Sequence, residues 1–354
     1  MSSLSDEKTV CFVCHPYLDR KETGRGHDRY AAELIHALRA LNTHCTVMHS
    51  GYIANIWQGM AAETVFPFRM VGIQASIFHA TATVCARVPI WLRKKPLVTT
   101  IHDCIPLHYK NEYDTSLKYR YKSYCLGLAA RHSDALIVPF ELNRQILHDR
   151  FKVPYERIFP IQYGIDTGRF YSDPTVKKVP GRILFIGEAV RAKGVDTLIE
   201  AMPRIVATVP GAHVWIGSGG KELDVLKNHA MSKNLANHIK FLGYINEDNL
   251  SHLYREAEVF VFPSRYGMGL STGEAMACGT ATVSGNALDT RDAYGDNTWL
   301  VDPDDPNDLA DAVIQLLVNN DLRNDYIGRG MALMGKRTWA MMADEIIDLY
   351  TSLF

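Results

Sequence analysis

The sequence predicts an α/β protein built from two doubly wound, parallel-sheet domains. Three observations carry this. Short apolar, β-rich runs alternate with longer segments whose apolar residues recur at helical spacing. The alternation pauses once, over the polar and turn-rich residues 167–180, and then restarts. A chain of 354 residues is also long for one core and comfortable for two.

In the first half, residues 10–14, 46–49, 97–101 and 135–139 are predicted strands. Between the first two, Ala31, Leu34, Ile35, Leu38 and Leu41 fall on one helix face. In the second half the predicted strands are 182–186, 213–216, 239–242, 259–262, 280–283 and 299–301. Helices fill the gaps, for example 195–209 and 309–318. Residues 339–353 form an amphipathic segment after the second unit is already complete. Two such sheets predict a central cleft at the strand C-terminal ends, where folds of this kind bind ligands.

Composition fits a soluble globular protein, with 47% apolar and 22% charged residues. The start carries acids and no basic segment, so no secretory signal is expected. The longest apolar stretch, 72–92, is interrupted by Gln74, His79, Arg87 and Pro89 and predicts no membrane span. Seven cysteines without framework spacing suit a reducing cytoplasm. Cys11 and Cys14 form a C-x-x-C inside an apolar run with no second pair behind it, and read as small buried hydrophobes.

Charge is unevenly placed. Residues 1–178 hold 23 Lys/Arg against 16 Asp/Glu, and the remainder 15 against 23. Two readings stay open: the basic half meets an anionic partner such as a phosphorylated lipid, an acidic glycan or a membrane surface, or the halves complement each other across the cleft. Residues 117–124, LKYRYKSY, interleave bases with aromatics and fit a half-exposed helix or a membrane-facing one. A pI near 6.9 argues against nucleic acid as a partner.

The most informative stretch is VFVFPSRYGMGLSTGEAMACG, residues 259–279. A buried strand ends at Pro263, a loop with Gly267 and Gly269 follows, and a helix is expected to begin near Ser271. Glycines let backbone amides approach a ligand, and a helix N-terminus offers free N–H groups to phosphate. Ser271-x-x-Glu274 also reads as a capping box.

This stretch resembles the loop P-S-x-Y-E-G-F-G-L-x-x-x-E-A-M-A-x-G of the retaining glycosyltransferases of family 4. Further pieces resemble that family in the same order: TGRGHDRYAAELIHALRAL (23–41), TIHDCIPL (100–107), YGIDTGRF (163–170), FIGEAVRAKGVDTLIEA (185–201), LGYINEDNLSHLYREA (242–257) and LVDPDDP (300–306). The resemblance implies the GT-B fold, two Rossmann-like domains facing a central cleft. Residues 1–168 would bind the acceptor, 169–335 the nucleotide sugar, and 336–354 would cross back to the first domain.

By the same resemblance, Lys193 binds the donor diphosphate, His102 sits beside the donor sugar, and Glu274 takes the ribose hydroxyls. Gly24 and Gly26 form a loop that meets the phosphates, and Gly187 lies in the phosphate-binding turn. Gly267, Met268, Gly269, Leu270 and Ser271 offer backbone to sugar and diphosphate. Two positions depart from the pattern. Glu188 stands where the family has an arginine, with Arg191 as the candidate replacement. Tyr266 stands where the family has the first glutamate of its E-x7-E pair, the residue that contacts the sugar.

The implied activity is retaining transfer of a hexose from a nucleotide diphosphate sugar to a hydroxyl of a glycan, lipid-linked or small-molecule acceptor. No cofactor and no metal are expected, because a fixed cation and helix amides stabilise the leaving diphosphate. The expected location is the cytoplasm, with peripheral contact at the inner membrane face as a variant. A non-catalytic GT-B subunit that binds nucleotide or glycan is the alternative reading, carried by Glu188 and Tyr266.

Overall fold

The structure is a computed structural model describing residues 8–14, 26–49, 65–104, 117–220 and 222–354, without the side chains of 26–28, 117–119 and 247. The chain divides into two compact units, Met1–Gly164 together with Trp339–Phe354, and Ile165–Thr338. It therefore crosses at 164/165 and at 338/339, where the sequence suggested 168/169 and 335/336.

The sheet of the first unit contains β1 (Thr9–Val13), β2 (His44–Met48), β3 (Ile77–Ala80), β4 (Leu97–Thr100), β5 (Ala135–Val138) and β6 (Ile158–Pro160). All pairs are parallel, in the order β2-β1-β3-β4-β5-β6. Strands β3 and β6 were not expected. The second unit holds β7 (Arg182–Ile186), β8 (His213–Gly217), β9 (Ile239–Gly243), β10 (Val259–Phe262), β11 (Ala281–Gly285) and β12 (Trp299–Val301). These run parallel in the order β12-β11-β10-β7-β8-β9. In each sheet the winding direction reverses once, between β1 and β3 and between β7 and β10. Loops leaving adjacent strands diverge at such a point and open a crevice at their C-terminal ends.

Strand β1 shows how the first unit is packed. Successive side chains point to opposite faces, so Val10, Phe12 and Cys14 join one apolar cluster while Cys11 and Val13 join another. Cys11 and Cys14 thus lie on opposite sides of the sheet, both buried and neither in a disulfide, and burial raises the Cys11 thiol pKa. The Val10 face is covered by Leu34 and Leu38 of the helix Gly26–Ala40 and by Ile346, Ile347 and Tyr350 of the helix Trp339–Ser352.

That last helix is also held by a polar link. His79 on β3 is fully buried, with Nδ1 2.6 Å from the Tyr350 hydroxyl and Nε2 2.8 Å from Thr100 Oγ1. Thr100 Oγ1 in turn lies 3.0 Å from the hydroxyl of buried Tyr30. Burial lowers the His79 pKa to about 3, so the ring is neutral at ordinary pH. Among the described residues, no helix is long and apolar enough to cross a membrane.

Candidate functional site

The second unit places its site at the β7/β10 reversal. Strand β7 runs into a turn at Gly187, one turn of 3-10 helix at Arg191–Lys193, and the helix Val195–Thr208. Gly194 joins the last two at φ 74°, and a Cβ there would fall on the Pro263 carbonyl at the end of β10. Glycine is thus what lets the two loops touch. Strand β10 leads through Pro263 and Ser264 to the loop of Gly267 and Gly269, then to the helix Leu270–Ala277.

Lys193 bridges these loops. Its half-buried ammonium donates to the Tyr266 carbonyl at 3.3 Å and lies 5.5 Å from the centre of the Phe262 ring. Buried Ser264 donates from Oγ to the same carbonyl at 2.5 Å. Gly269, at φ 65°, packs so closely on Phe262 that a Cβ would come within 3.0 Å of three ring carbons. Phe262 therefore forms the floor of the site, with Lys193 and the glycine loop above it.

The expected capping box is corrected by the structure. The helix begins at Leu270 with Gly269 as its N-cap, and no side chain caps it. Ser271 is already helical and half-buried. Glu274 turns inward, 4% exposed, and its Oε2 accepts a 2.8 Å hydrogen bond from the hydroxyl of fully buried Tyr254. The uncapped terminus keeps its first N–H groups, at Leu270 and Ser271, available to an anion, with the helix dipole behind them.

Other expected residues fall differently. Arg191 does not join Lys193: its side chain is 79% exposed and pairs with Asp196 at 3.6 Å. Glu188 is exposed. Gly187 uses its N–H on the Gly217 carbonyl at 3.2 Å, so it contributes an absent side chain rather than a donor. Met268 is half-buried in the loop. Tyr266 is buried at 8% exposure, and only three residues separate Pro263 from Gly267, where the family pattern has four. Counted from Pro263, Tyr266 takes the place of that pattern's tyrosine, and counted back from Glu274 it takes the place of the glutamate, in a loop one residue shorter.

Sequence reasoning missed Arg265. Its guanidinium reaches the Asp196 carboxylate at 3.0 and 3.2 Å, Asp304 at 2.7 Å, Thr197 at 3.1 Å and the Arg191 carbonyl. Burial opposes the charge, but the bonds from Asp196 and Asp304 outweigh it and raise the pKa. Arg265 is the tie that fixes the β10 loop to the turn after β7. No local motif marks it, since every partner is distant in sequence.

In the first unit, His102 follows β4. Its Nε2–H donates to the Thr81 carbonyl at 2.7 Å, which leaves Nδ1 to accept from the Tyr163 hydroxyl at 2.6 Å. Tyr30 meets the ring edge-on at 4.8 Å. Both nitrogens thus have partners, and the imidazole is oriented rather than poised to move a proton. Gly24 lies outside the described residues; Gly26 is the first residue of its helix.

Two doubly wound parallel sheets, the second with a lysine and a glycine loop meeting at its reversal point, define the GT-B class. The structure matches sucrose-phosphate synthase from Thermosynechococcus elongatus with a TM-score of 0.85 over 98% of each chain, at 20% identity, a likeness of fold. Two family descriptions fit the sequence, "Glycosyltransferase Family 4" over residues 55–169 and "Glycosyl transferases group 1" over 172–331. The chain belongs to the group 1, family 4 glycosyltransferases. It is similar to the phosphatidyl-myo-inositol mannosyltransferase of Mycolicibacterium smegmatis, 32% identical over 201 residues, 54% of this chain and 51% of that protein. It is also similar to O-antigen chain mannosyltransferase B of Escherichia coli, 26% identical over 273 residues, 74% and 71% of the two chains. The first of these matches spans about half the relative's length.

Proposed function

We propose that the chain transfers a hexose from a nucleotide diphosphate sugar to a hydroxyl of a glycan, lipid-linked or small-molecule acceptor, with retention and without a metal. One observation carries this: the Lys193 ammonium lies against a glycine loop that ends in an uncapped helix N-terminus, a cradle suited to a diphosphate. The second unit holds the donor and the first the acceptor. Mannose is the favoured sugar, because both curated relatives named above are mannosyltransferases.

In this reading the bond from sugar C1 to the phosphate oxygen breaks and its electron pair leaves with the nucleoside diphosphate. The acceptor oxygen bonds to C1 on the same face, and its proton passes to the departing diphosphate oxygen. Lys193 and the N–H groups of Leu270 and Ser271 stabilise the growing negative charge. Glu274 accepts from the ribose hydroxyls. The reaction is cytoplasmic, with the basic first half free to meet an anionic membrane face.

Lys193→Ala should lower kcat about 10²–10³-fold, the usual effect of removing one preorganised charge-stabilising group. A thermal-shift panel of UDP, GDP and ADP with their sugars identifies the base, since a ligand bound only to the folded state raises the melting point. Turnover near wild type in the variant would remove the site. EDTA should leave turnover unchanged. The shortened loop without a glutamate favours the second reading, a non-catalytic subunit, which predicts a nucleotide-dependent shift and no transfer from any donor.

A further inference from the structure

A cavity of about 620 Å³ opens in the first unit where β4 and β5 begin, at the opposite end of the sheet from His102. Its lining includes Arg93, Lys94, Lys95, Arg131, His132 and Arg157. Asp134 is the one carboxylate among the described lining residues, and it is engaged. Its Oδ1 takes Lys95 at 2.6 Å, and its Oδ2 takes the Leu97 N–H at 2.7 Å.

Part of this charge serves the fold. Lys95 donates to the His132 carbonyl at 2.9 Å, and Arg157 to the carbonyls of Ala130 and Ser133, at the end of the helix Leu117–His132. Lys94 donates to the carbonyls of Val71 and Ile73 at 2.9 and 2.7 Å. Such cations satisfy orphan carbonyls and oppose the helix dipole. Capping does not account for the rest. Among the described residues Arg93 and His132 make no side-chain hydrogen bond or ion pair, and Arg131 has a 3.4 Å contact to Gly127 O and the face of Phe151. Arg93 moreover sits at φ 52°, just past the helix Arg87–Trp91, where glycine is the usual residue. An unpartnered guanidinium is thus held at a strained position on the rim of a basic cavity.

We propose that this cavity binds a phosphoryl anion, at a site separate from Lys193 and from His102. Its volume suits a small phosphorylated molecule or a lipid headgroup, and fixed cations with their carboxylate already neutralised favour an anion. Arg93 and Arg131 are the residues that would bind it.

The test uses the full chain in the Lys193→Ala background, which removes the phosphate site proposed above. Tripolyphosphate binding is measured by calorimetry at low salt, and phosphatidylglycerol vesicle binding by co-sedimentation against phosphatidylcholine. The expected result is binding in at least one arm, weakening as salt rises. Adding Arg93→Gly with Arg131→Gln should weaken it at least tenfold without lowering the melting temperature, because glycine suits the backbone at position 93. Loss in the tripolyphosphate arm identifies a soluble ligand; loss in the vesicle arm alone identifies a headgroup. Where tripolyphosphate binds, it should also shift the amide resonances of residues 93–95, 97 and 131–134 in the unaltered cavity. No binding in either arm, binding indifferent to the added changes, or shifts confined elsewhere would overturn the proposal.

Discussion

Tyr254→Phe deletes one oxygen and leaves a ring. Tyr254 is fully buried in the helix Glu247–Glu256, against Phe170 and Phe260 at centroid distances of 6.0 and 5.5 Å, and that packing survives the change. What is lost is the 2.8 Å hydrogen bond to Glu274 Oε2. A buried hydrogen bond to a charged group contributes about 1.5–3 kcal/mol, so the second unit should lose stability in that range. Urea titration reads this as a midpoint lowered by roughly 1 M for a slope of about 1–3 kcal/mol/M. If Glu274 receives the ribose hydroxyls, a looser carboxylate should also weaken nucleoside diphosphate binding about tenfold, equivalent to about 1.4 kcal/mol. Inorganic pyrophosphate, which has no ribose, should bind as before. A stability change under about 0.5 kcal/mol, within the scatter of ordinary surface changes, would show that the bond contributes nothing. Equal weakening of both ligands would show that Tyr254 acts on the loop and not through the ribose site.

Three further outcomes are expected. Between about pH 3 and the ordinary histidine value, the unfolded chain takes up a proton that buried His79 refuses, so stability falls as pH falls, by up to about 1.4 kcal/mol per unit; His79→Gln should flatten that part of the urea-midpoint profile, and an unchanged profile would rule His79 out as its source. Lys178 has its pKa lowered to about 8 by burial. Stability should therefore rise with pH from about 8 toward the ordinary lysine value, and Lys178→Met should stabilise the chain at pH 7 but not at pH 10.5; equal midpoints at pH 7 would refute this. Gly269→Ala combines a left-handed backbone with overlap on Phe262, so it should cost about 2–4 kcal/mol. A variant melting like wild type would mean that the loop relaxes easily.

Strands with several consecutive apolar residues, such as β7 and β10, were plain in the sequence because burial on both faces needs no alternation. Strand β3 was hidden by its own histidine. His79 looked like an interruption of an apolar stretch, yet Tyr350 and Thr100 satisfy it inside the core. Strand β6 spans three residues and ends on Pro160, too short for any period to show. The loop of Gly267 and Gly269 was legible because glycine spacing is local information. The capping box misled for the same reason: Ser271 and Glu274 have the right spacing, but Tyr254, twenty residues earlier on another helix, supplies the partner Glu274 takes. Arg191 was favoured by its proximity to Lys193 in sequence, whereas Asp196 at the start of the next helix draws it aside.

The return of Trp339–Ser352 to the first unit has a consequence for synthesis. The six described strands of that unit have been made by Pro160, yet the face of its sheet bearing Val10 and Phe12 waits for Ile346, Ile347 and Tyr350. The second unit is one uninterrupted stretch, Ile165–Thr338, and can close before that helix emerges. On the ribosome the part encoded second should therefore become protease-resistant first, while the earlier part stays open with His79 still without Tyr350. Limited proteolysis of nascent chains stalled just past residue 338 plus the exit-tunnel length would show this order. Protection of both units at that point would show that the sheet of the first can stand without its last helix.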